Sequence, residues 1–261
     1  MKKRYYYLIT IQYLGFRYHG WQKQTKLKTV HLMIDKTLSY IFESDSTFKT
    51  LGASRTDAMV SANASAFELF IDYPILDFEA FLNKFNYYLP QDIKALSVVE
   101  ISKEFNIIQS SKIKEYHYLF AHGEKTHPFC ASIMTTFRDE LDIERMKLGA
   151  KLFEGEHYFK SYCSNVKDEG LYHRTILSSE IVENTIYDAS FFPSKSYLYK
   201  IKAKGFGQNQ VRLMMGVLAK LGKGEITLDF IKDSLKNESQ VVLDDIAPAS
   251  GLILDSITFD L

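Results

Sequence analysis

Strand-like and helix-like runs alternate along the whole chain, and this alternation limits the possible folds more than any other feature. The run "YYYLITIQYLG" is rich in aromatic and β-branched side chains and predicts a strand that stops at a glycine. The run "TVHLMIDKTLSYIF" predicts a helix capped by Thr29, because its apolar residues recur at helical spacing, at Val30, Ile34, Leu38 and Ile41. We therefore expect an α+β protein whose mixed, mainly antiparallel sheets are flanked by helices.

Both halves of the chain repeat this mixture in a similar order, which predicts two lobes, residues 1–105 and 106–261. In the second half, "DIERMKLGAKLFEG" predicts a helix with Asp142 as its cap and Gly155 as its stop. The stretch "NQVRLMMGVLAKLG" predicts another helix that ends at Gly222. The final residues "GLILDSITFDL" predict a closing strand.

Basic residues are concentrated in two tracts although the net charge of the chain is zero. Residues 1–34 and residues 189–224 each contain seven basic side chains and no acidic one. Such segregation can build a basic surface for a polyanion on a neutral protein. Lysines on solvated strand edges explain the tracts equally well.

Several classes of site are missing from the sequence. It has no Walker loop, no Gly-x-Gly-x-x-Gly and no Cys-x-x-Cys, and its histidines are not spaced as metal ligands. Cys130 and Cys163 are far apart, which fits a reducing compartment. The apolar run at the N-terminus is too short for a membrane span, so we expect a cytoplasmic protein. Because the motifs above are missing, we expect neither a cofactor nor a metal.

The stretch "GASRTDAMVSANA" places Asp57 beside Arg55 at a junction between two strands. An aspartate in a polar turn is usually structural. A carboxylate kept ionised by an adjacent cation can also act as a covalent nucleophile. Arg212, inside an apolar helix, requires an acidic partner such as Asp57.

Two aromatic residues also have alternative interpretations. Trp21, the only tryptophan, follows the first strand in "YLGFRYHGWQKQ" and could close the edge of the core. Tyr116 and Tyr118 are two residues apart on one predicted strand, so their side chains lie on the same face. Tyr116 could be ordinary core or could stack on a base.

In chain order, these stretches resemble the TruA-type tRNA pseudouridine synthases. The family's Gly-Trp-Gln loop is similar to "YLGFRYHGWQKQ", and its catalytic Gly-Arg-Thr-Asp-Ala-Gly-Val-His stretch is similar to "SRTDAMVS". Other similar stretches are "LPQDI", "KEYHYLF", "HPF", "FEGEHYFKSYC", "FGQNQVRLMMGVL" and "APASGLILDSITF". The resemblance covers nearly the whole chain.

The resemblance implies the pseudouridine synthase fold with an active-site cleft between the lobes, and an isomerase that converts uridine to pseudouridine in the tRNA anticodon stem-loop. It implies that Asp57 is the nucleophile and that Arg55 holds the place of the flipped-out nucleotide. It also implies that Tyr116 stacks on the uracil and that Arg212 pairs with Asp57. A homodimer is expected to bind the tRNA through Arg17, Trp21, Gln22, Lys23, Lys26, Lys28, Lys202 and Lys204.

Three residues of the Asp57 stretch depart from the family pattern. Ser54, Met59 and Ser61 stand where the family has Gly, Gly and His. A methionine does not freely adopt the left-handed conformation open to glycine, so we expect a rebuilt turn. The alternatives are a related synthase with a different RNA target and a non-catalytic RNA-binding protein on the same scaffold.

Overall fold

The computed structural model describes residues 4–42, 47–110, 112–164 and 172–259. The chain divides into two compact units, one of Met1–Lys112 with Leu254–Leu261 and one of Ile113–Ile253. Ten strands and five α-helices lie in the described ranges, which confirms the α+β class. The boundary at residues 105 and 106 stays a prediction. Lys2 and Lys3 of the first basic tract lie outside the described residues.

The sheet of the first unit is built around β1 (Tyr5–Tyr13). β1 pairs antiparallel with β3 (Ser61–Ile71) on one side and with β4 (Ile93–Glu100) on the other. β2 (Phe48–Gly52) pairs antiparallel with β3, and the closing strand β10 (Leu252–Phe259) also lies beside β3. This arrangement brings the end of β1 next to the start of β3.

Two helices complete the first unit, α1 (Val30–Ile41) and α2 (Phe78–Tyr88). Each begins at a capping side chain, since the Thr29 hydroxyl accepts from the N–H of Leu32 and the Asp77 carboxylate accepts from the N–H of Ala80. The apolar stripe of α1 is buried, as its spacing predicts.

The sheet of the second unit is mainly antiparallel. β5 (Lys112–His122) pairs with β9 (Tyr197–Ala203), β9 pairs with β8 (His173–Glu183), and β8 pairs with β7 (Gly155–Tyr158). One short strand, β6 (Thr135–Phe137), runs parallel to the end of β5. The prediction of mixed, mainly antiparallel pairing is therefore confirmed.

Three helices belong to the second unit, α3 (Ile143–Lys151), α4 (Gln210–Gly222) and α5 (Leu228–Ser234). Asp142 caps α3 and α4 ends at Gly222, as expected. The stop predicted at Gly155 is wrong: α3 ends four residues earlier, because the chain then turns to bury Phe153, and Gly155 opens β7 at φ +98°. None of the described helices is long and apolar enough to cross a membrane.

Gly149 lets α3 approach α4 and α5 closely. A Cβ at Gly149 would lie 2.3 Å from Leu221 Cδ2, 3.1 Å from Leu218 Cδ2 and 3.2 Å from Ile231 Cδ1. Alanine normally favours a helix, but here it would overpack the helix interface. We predict that Gly149→Ala lowers the free energy of unfolding by about 1–3 kcal/mol, measured by urea denaturation. Leu148→Ala, at an exposed position of α3, is the control; equal stability of both variants would contradict the prediction.

Glu68 is a buried carboxyl on β3, only 1% exposed. Its register partners on the neighbouring strands are Leu8 and Leu51. Its Oε2 accepts from the Ile107 N–H at 3.3 Å, whereas Oε1 has no hydrogen-bond partner among the described residues. Burial raises the pKa of Glu68 above its usual range, with the Ile107 hydrogen bond acting in the opposite direction.

The raised pKa of Glu68 predicts a pH-dependent stability difference. A carboxyl whose native pKa lies above its unfolded value near ~4.3 binds more protons in the native state. Its contribution to stability is therefore present at low pH and is lost as pH rises through the native pKa. We predict that Glu68→Gln gains free energy of unfolding relative to wild type across that interval, in denaturation series from pH 4.5 to 7.5. Parallel pH curves would contradict the prediction.

Candidate active site

The Arg-Thr-Asp segment lies in the loop between β2 and β3 of the first unit. Thr56 is buried and Asp57 is half-buried, whereas Arg55 and Ala58 are exposed. The threonine of this loop therefore points into the protein, and Arg55 and Asp57 on either side of it are accessible to solvent.

Two glycines bring the loop after β1 into backbone contact with the Asp57 loop. A Cβ at Gly20 would lie 2.6 Å from the Thr56 carbonyl oxygen and 3.0 Å from the Asp57 carbonyl carbon. A Cβ at Gly15 would lie 2.0 Å from the carbonyl oxygen of Val60. Gly20 also has φ +82°, a conformation open to glycine. Only glycine permits this approach at the two positions, so the "YLGFRYHGWQKQ" loop supports the Asp57 loop directly.

Hydrogen bonds also hold these two segments together. The hydroxyls of Tyr13 and Thr56 are 2.8 Å apart, and the backbone N–H of Trp21 donates to the Thr56 carbonyl oxygen at 3.0 Å. The Gly15 N–H donates to Ser61 Oγ at 2.9 Å. Ser61, which replaces the family histidine, thus satisfies a buried backbone donor. Nothing in the sequence indicates this role, because Gly15 and Ser61 lie 46 residues apart in the chain.

Met59 adopts the left-handed conformation, with φ +68°. The expectation that methionine would not adopt the left-handed conformation open to glycine is therefore wrong at this position. The surroundings impose the conformation, because the Met59 N–H donates to the Tyr18 carbonyl oxygen at 3.0 Å and the Val60 N–H donates to the Asp57 carbonyl oxygen at 3.3 Å.

Trp21 is a core residue, only 1% exposed. Its indole stacks on the His31 ring at 5.4 Å between centroids, and a Cβ at Gly52 would lie 2.2 Å from the indole nitrogen. Such burial does not leave a surface for RNA, so the contact expected of Trp21 does not fit its position. Its side chain supports the Asp57 loop from inside the first unit.

The remaining candidate RNA-binding residues of the first unit are exposed: Arg17, Gln22, Lys23, Lys26 and Lys28. Arg17 donates to Asp92 Oδ2 through Nε at 2.9 Å and Nη2 at 2.5 Å, and Lys23 pairs with Asp35. Lys28 Nζ lies 4.8 Å from the centroid of the Tyr18 ring.

Asp92 organises this surface, a role that sequence reasoning missed. Its carboxylate accepts from Arg17 and, at 2.5 Å, from the Tyr18 hydroxyl. Burial opposes ionisation of Asp92, but the hydrogen bonds from Tyr18 and Arg17 hold its pKa below the usual range. Asp92 belongs to the "LPQDI" stretch that resembles the family, but nothing in that stretch indicates that Arg17 and Tyr18 are its partners.

In the second unit, Tyr116 lies on β5 and is 8% exposed. Its ring contacts Phe206 edge to face, with 5.3 Å between centroids. Tyr118, on the same face, is fully buried, and its hydroxyl donates to the Pro248 carbonyl oxygen at 2.7 Å. Tyr118 is thus ordinary core, and Phe206, which the sequence did not single out, holds Tyr116.

Arg212 lies in the first turn of α4 and is half-buried. Its Nε donates to the Ala247 carbonyl oxygen at 2.7 Å, and Nη1 donates to Asn209 Oδ1 at 3.2 Å. Asn209 itself has φ +59°, which asparagine tolerates. These two bonds fix the plane of the guanidinium within the second unit.

Acidic side chains pair with three of the seven basic residues of the second tract, Lys202, Lys220 and Lys223. Lys202 is exposed and pairs with Glu115 at 3.1 Å, and Lys223 pairs with Asp139 at 2.6 Å. Lys204 is exposed in the segment between β9 and α4. The tract is therefore less positive than the sequence suggested.

Comparison with known proteins identifies the family of this chain. A sequence model described as tRNA pseudouridine synthase matches residues 150–260. The tRNA pseudouridine synthase A of Pseudothermotoga lettingae is 30% identical over 259 residues, 97% of this chain and 99% of that protein. The tRNA pseudouridine synthase A 2 of Bacillus thuringiensis subsp. konkukian is 29% identical with the same coverage. The tRNA pseudouridine synthase A of Methylacidiphilum infernorum is 28% identical over 97% of this chain and 95% of that protein.

The similarity extends over both units and includes the loops described above. The chain belongs to the tRNA pseudouridine synthase A (TruA) family. It is accordingly an isomerase that acts on tRNA, with the α+β fold expected of that family.

The bond between Gly15 and Ser61 can be tested by mutation. Ser61→Ala leaves the buried Gly15 N–H without its acceptor, so we predict a loss of about 1–3 kcal/mol in the free energy of unfolding, measured by urea denaturation. Ser65→Ala is the matched control on the same strand, because Ser65 Oγ is buried with no hydrogen-bond partner in the described ranges. Equal losses in the two variants would disprove the role of Ser61.

Proposed function

We propose that this enzyme converts a uridine of the tRNA anticodon stem-loop into pseudouridine, with Asp57 as the nucleophile. In this mechanism the Asp57 carboxylate starts cleavage of the C1′–N1 glycosidic bond. The freed uracil rotates and its C5 bonds to C1′, which releases the Asp57 carboxylate unchanged; the C5 proton then leaves and N1 is protonated. The observation that carries the proposal is the position of Asp57: half-buried, on a loop whose backbone is held by Gly15, Gly20 and Thr56.

The other candidate residues act around this carboxylate in the proposal. Arg55 is exposed two residues before Asp57 and holds the place of the nucleotide that leaves the stack. Tyr116 stacks on the uracil, and its contact with Phe206 supports a fixed ring orientation. Arg212 pairs with Asp57 and keeps it ionised, and its bonds to Ala247 and Asn209 support a fixed guanidinium.

The tRNA contacts we propose use exposed residues only: Arg17, Gln22, Lys23, Lys26, Lys28, Lys202 and Lys204. Trp21 supports the loop that carries several of them. We also propose that the enzyme is a cytoplasmic homodimer, and the two free thiols, Cys130 and Cys163, are compatible with a reducing compartment. Light scattering at micromolar concentration tests the dimer.

The nucleophile can be tested with Asp57→Asn, which keeps the shape of the side chain and removes its charge. We predict a loss of at least about 10³-fold in pseudouridine formation, because an amide does not replace a carboxylate nucleophile. RNA affinity should stay within about threefold of wild type, since the loop backbone does not depend on this charge. Product is measured by mass spectrometry after pseudouridine-specific derivatisation.

Asp229→Asn is the control for this experiment, because Asp229 is exposed on α5 and pairs only locally with Lys232. It should keep wild-type turnover. Turnover by Asp57→Asn at the wild-type rate would remove Asp57 from its proposed role. The substrate is tested separately, with whole tRNA and with the isolated anticodon stem-loop; product from whole tRNA but outside the anticodon arm would favour the different RNA target.

A further inference from the structure

Met59 has an unfavourable backbone conformation that its own side chain does not explain. Its φ of +68° lies in the left-handed region, where the backbone of residues other than Gly, Asn and Asp is strained. The side chain is 37% exposed, so core packing does not repay the strain. Glycine would fulfil the backbone requirement of this turn with less strain.

The backbone around Met59 fixes where its side chain begins. The Met59 N–H is bonded to the Tyr18 carbonyl oxygen, and the next residue packs against Gly15. Phe16 lies between these two contact points in the chain and is 38% exposed. Phe16 and Met59 are therefore exposed apolar residues on two loops that contact each other.

Arg55 and Met59 flank Asp57 at equal distance along the chain, two residues before it and two after. Both are exposed, whereas Thr56 between them is buried. A base that flips out of its stack uncovers the faces of the bases on either side of it. Apolar side chains, methionine among them, can cover such faces, and a thioether also makes favourable contacts with aromatic rings.

We propose that Met59 packs against the face of a nucleobase next to the target uridine and is a specificity-determining residue of this enzyme. This inference rests on the proposed function, since it takes Asp57 to be at the target uridine. Met59 carries no charge and no hydrogen-bond donor, so its contact is with a base face rather than with phosphate. The strained backbone is retained because glycine would leave that face uncovered.

The test compares Met59→Gly and Met59→Ala with wild type on the tRNA that wild type modifies. Both truncations should raise KM about five- to tenfold and leave kcat within about twofold, because the lost contact is to bound RNA. Met59→Gly should melt at the same or a higher temperature than wild type, since it relieves the strain, and this excludes misfolding as the cause. Unchanged KM in both variants would overturn the proposal.

An RNA series identifies the contact itself. The nucleotides on the 5′ and 3′ sides of the target are replaced, one at a time, by abasic sites. With one of these RNAs, the KM of wild type should rise about as much as the KM of Met59→Gly rises on intact RNA. On that abasic RNA the two proteins should then have equal KM. Equal sensitivity of wild type and Met59→Gly to both abasic RNAs would overturn the proposal.

Ala58→Gly is the control for flexibility, because it loosens the same turn, removes only a methyl group and leaves the Met59 side chain in place. A rise in KM equal to that of Met59→Gly would assign the effect to turn rigidity and overturn the base contact. Failure of the proposed function is distinguishable: there, wild type forms no pseudouridine in the anticodon arm, or Asp57→Asn remains active. Failure of this inference alone leaves Asp57→Asn inactive and Met59→Gly at the wild-type KM.

Discussion

Backbone packing between the loop after β1 and the loop that carries Asp57 is the contact on which the candidate site depends. Side chains at Gly15 and Gly20 would collide with main-chain atoms of the partner loop, so the two loops touch only because glycine stands at both places. Main-chain atoms have few ways to relax, so the packing of these two loops fixes the backbone position of Asp57 in the first unit.

The same contact explains how the loop is held although three of its residues differ from the family pattern. Ser61 supplies an acceptor to the Gly15 N–H, which is the local requirement at that position. Ser54 is buried. Met59 has a positive φ because two hydrogen bonds hold the turn, one from the Met59 N–H to Tyr18 and one from the Val60 N–H to Asp57. The backbone strain is therefore local to one residue. The backbone path therefore depends less on these three identities than on the glycines that support it.

Features specified by nearby residues could be predicted from the sequence, and features specified by distant contacts could not. The cap at Thr29, the buried stripe of α1 and the end of α4 at Gly222 all follow from signals within one helix. Burial of Trp21 and the two partners of Asp92 depend on segments far along the chain. The family resemblance located the Asp57 stretch, but only the packing around it reveals what Ser61 and Met59 do.

Local ion pairing changes what the basic tracts mean for RNA recognition. A cation that already has a carboxylate partner gains less from a phosphate, because it exchanges one charged contact for another. Arg17 and Lys202 are of this kind, whereas Lys26 and Lys204 are exposed and have no ion pair among the described residues. The salt dependence of tRNA binding reports the phosphates newly neutralised rather than the number of basic residues. On a neutral chain, recognition must therefore rely on correctly oriented cations and on RNA shape more than on total positive charge.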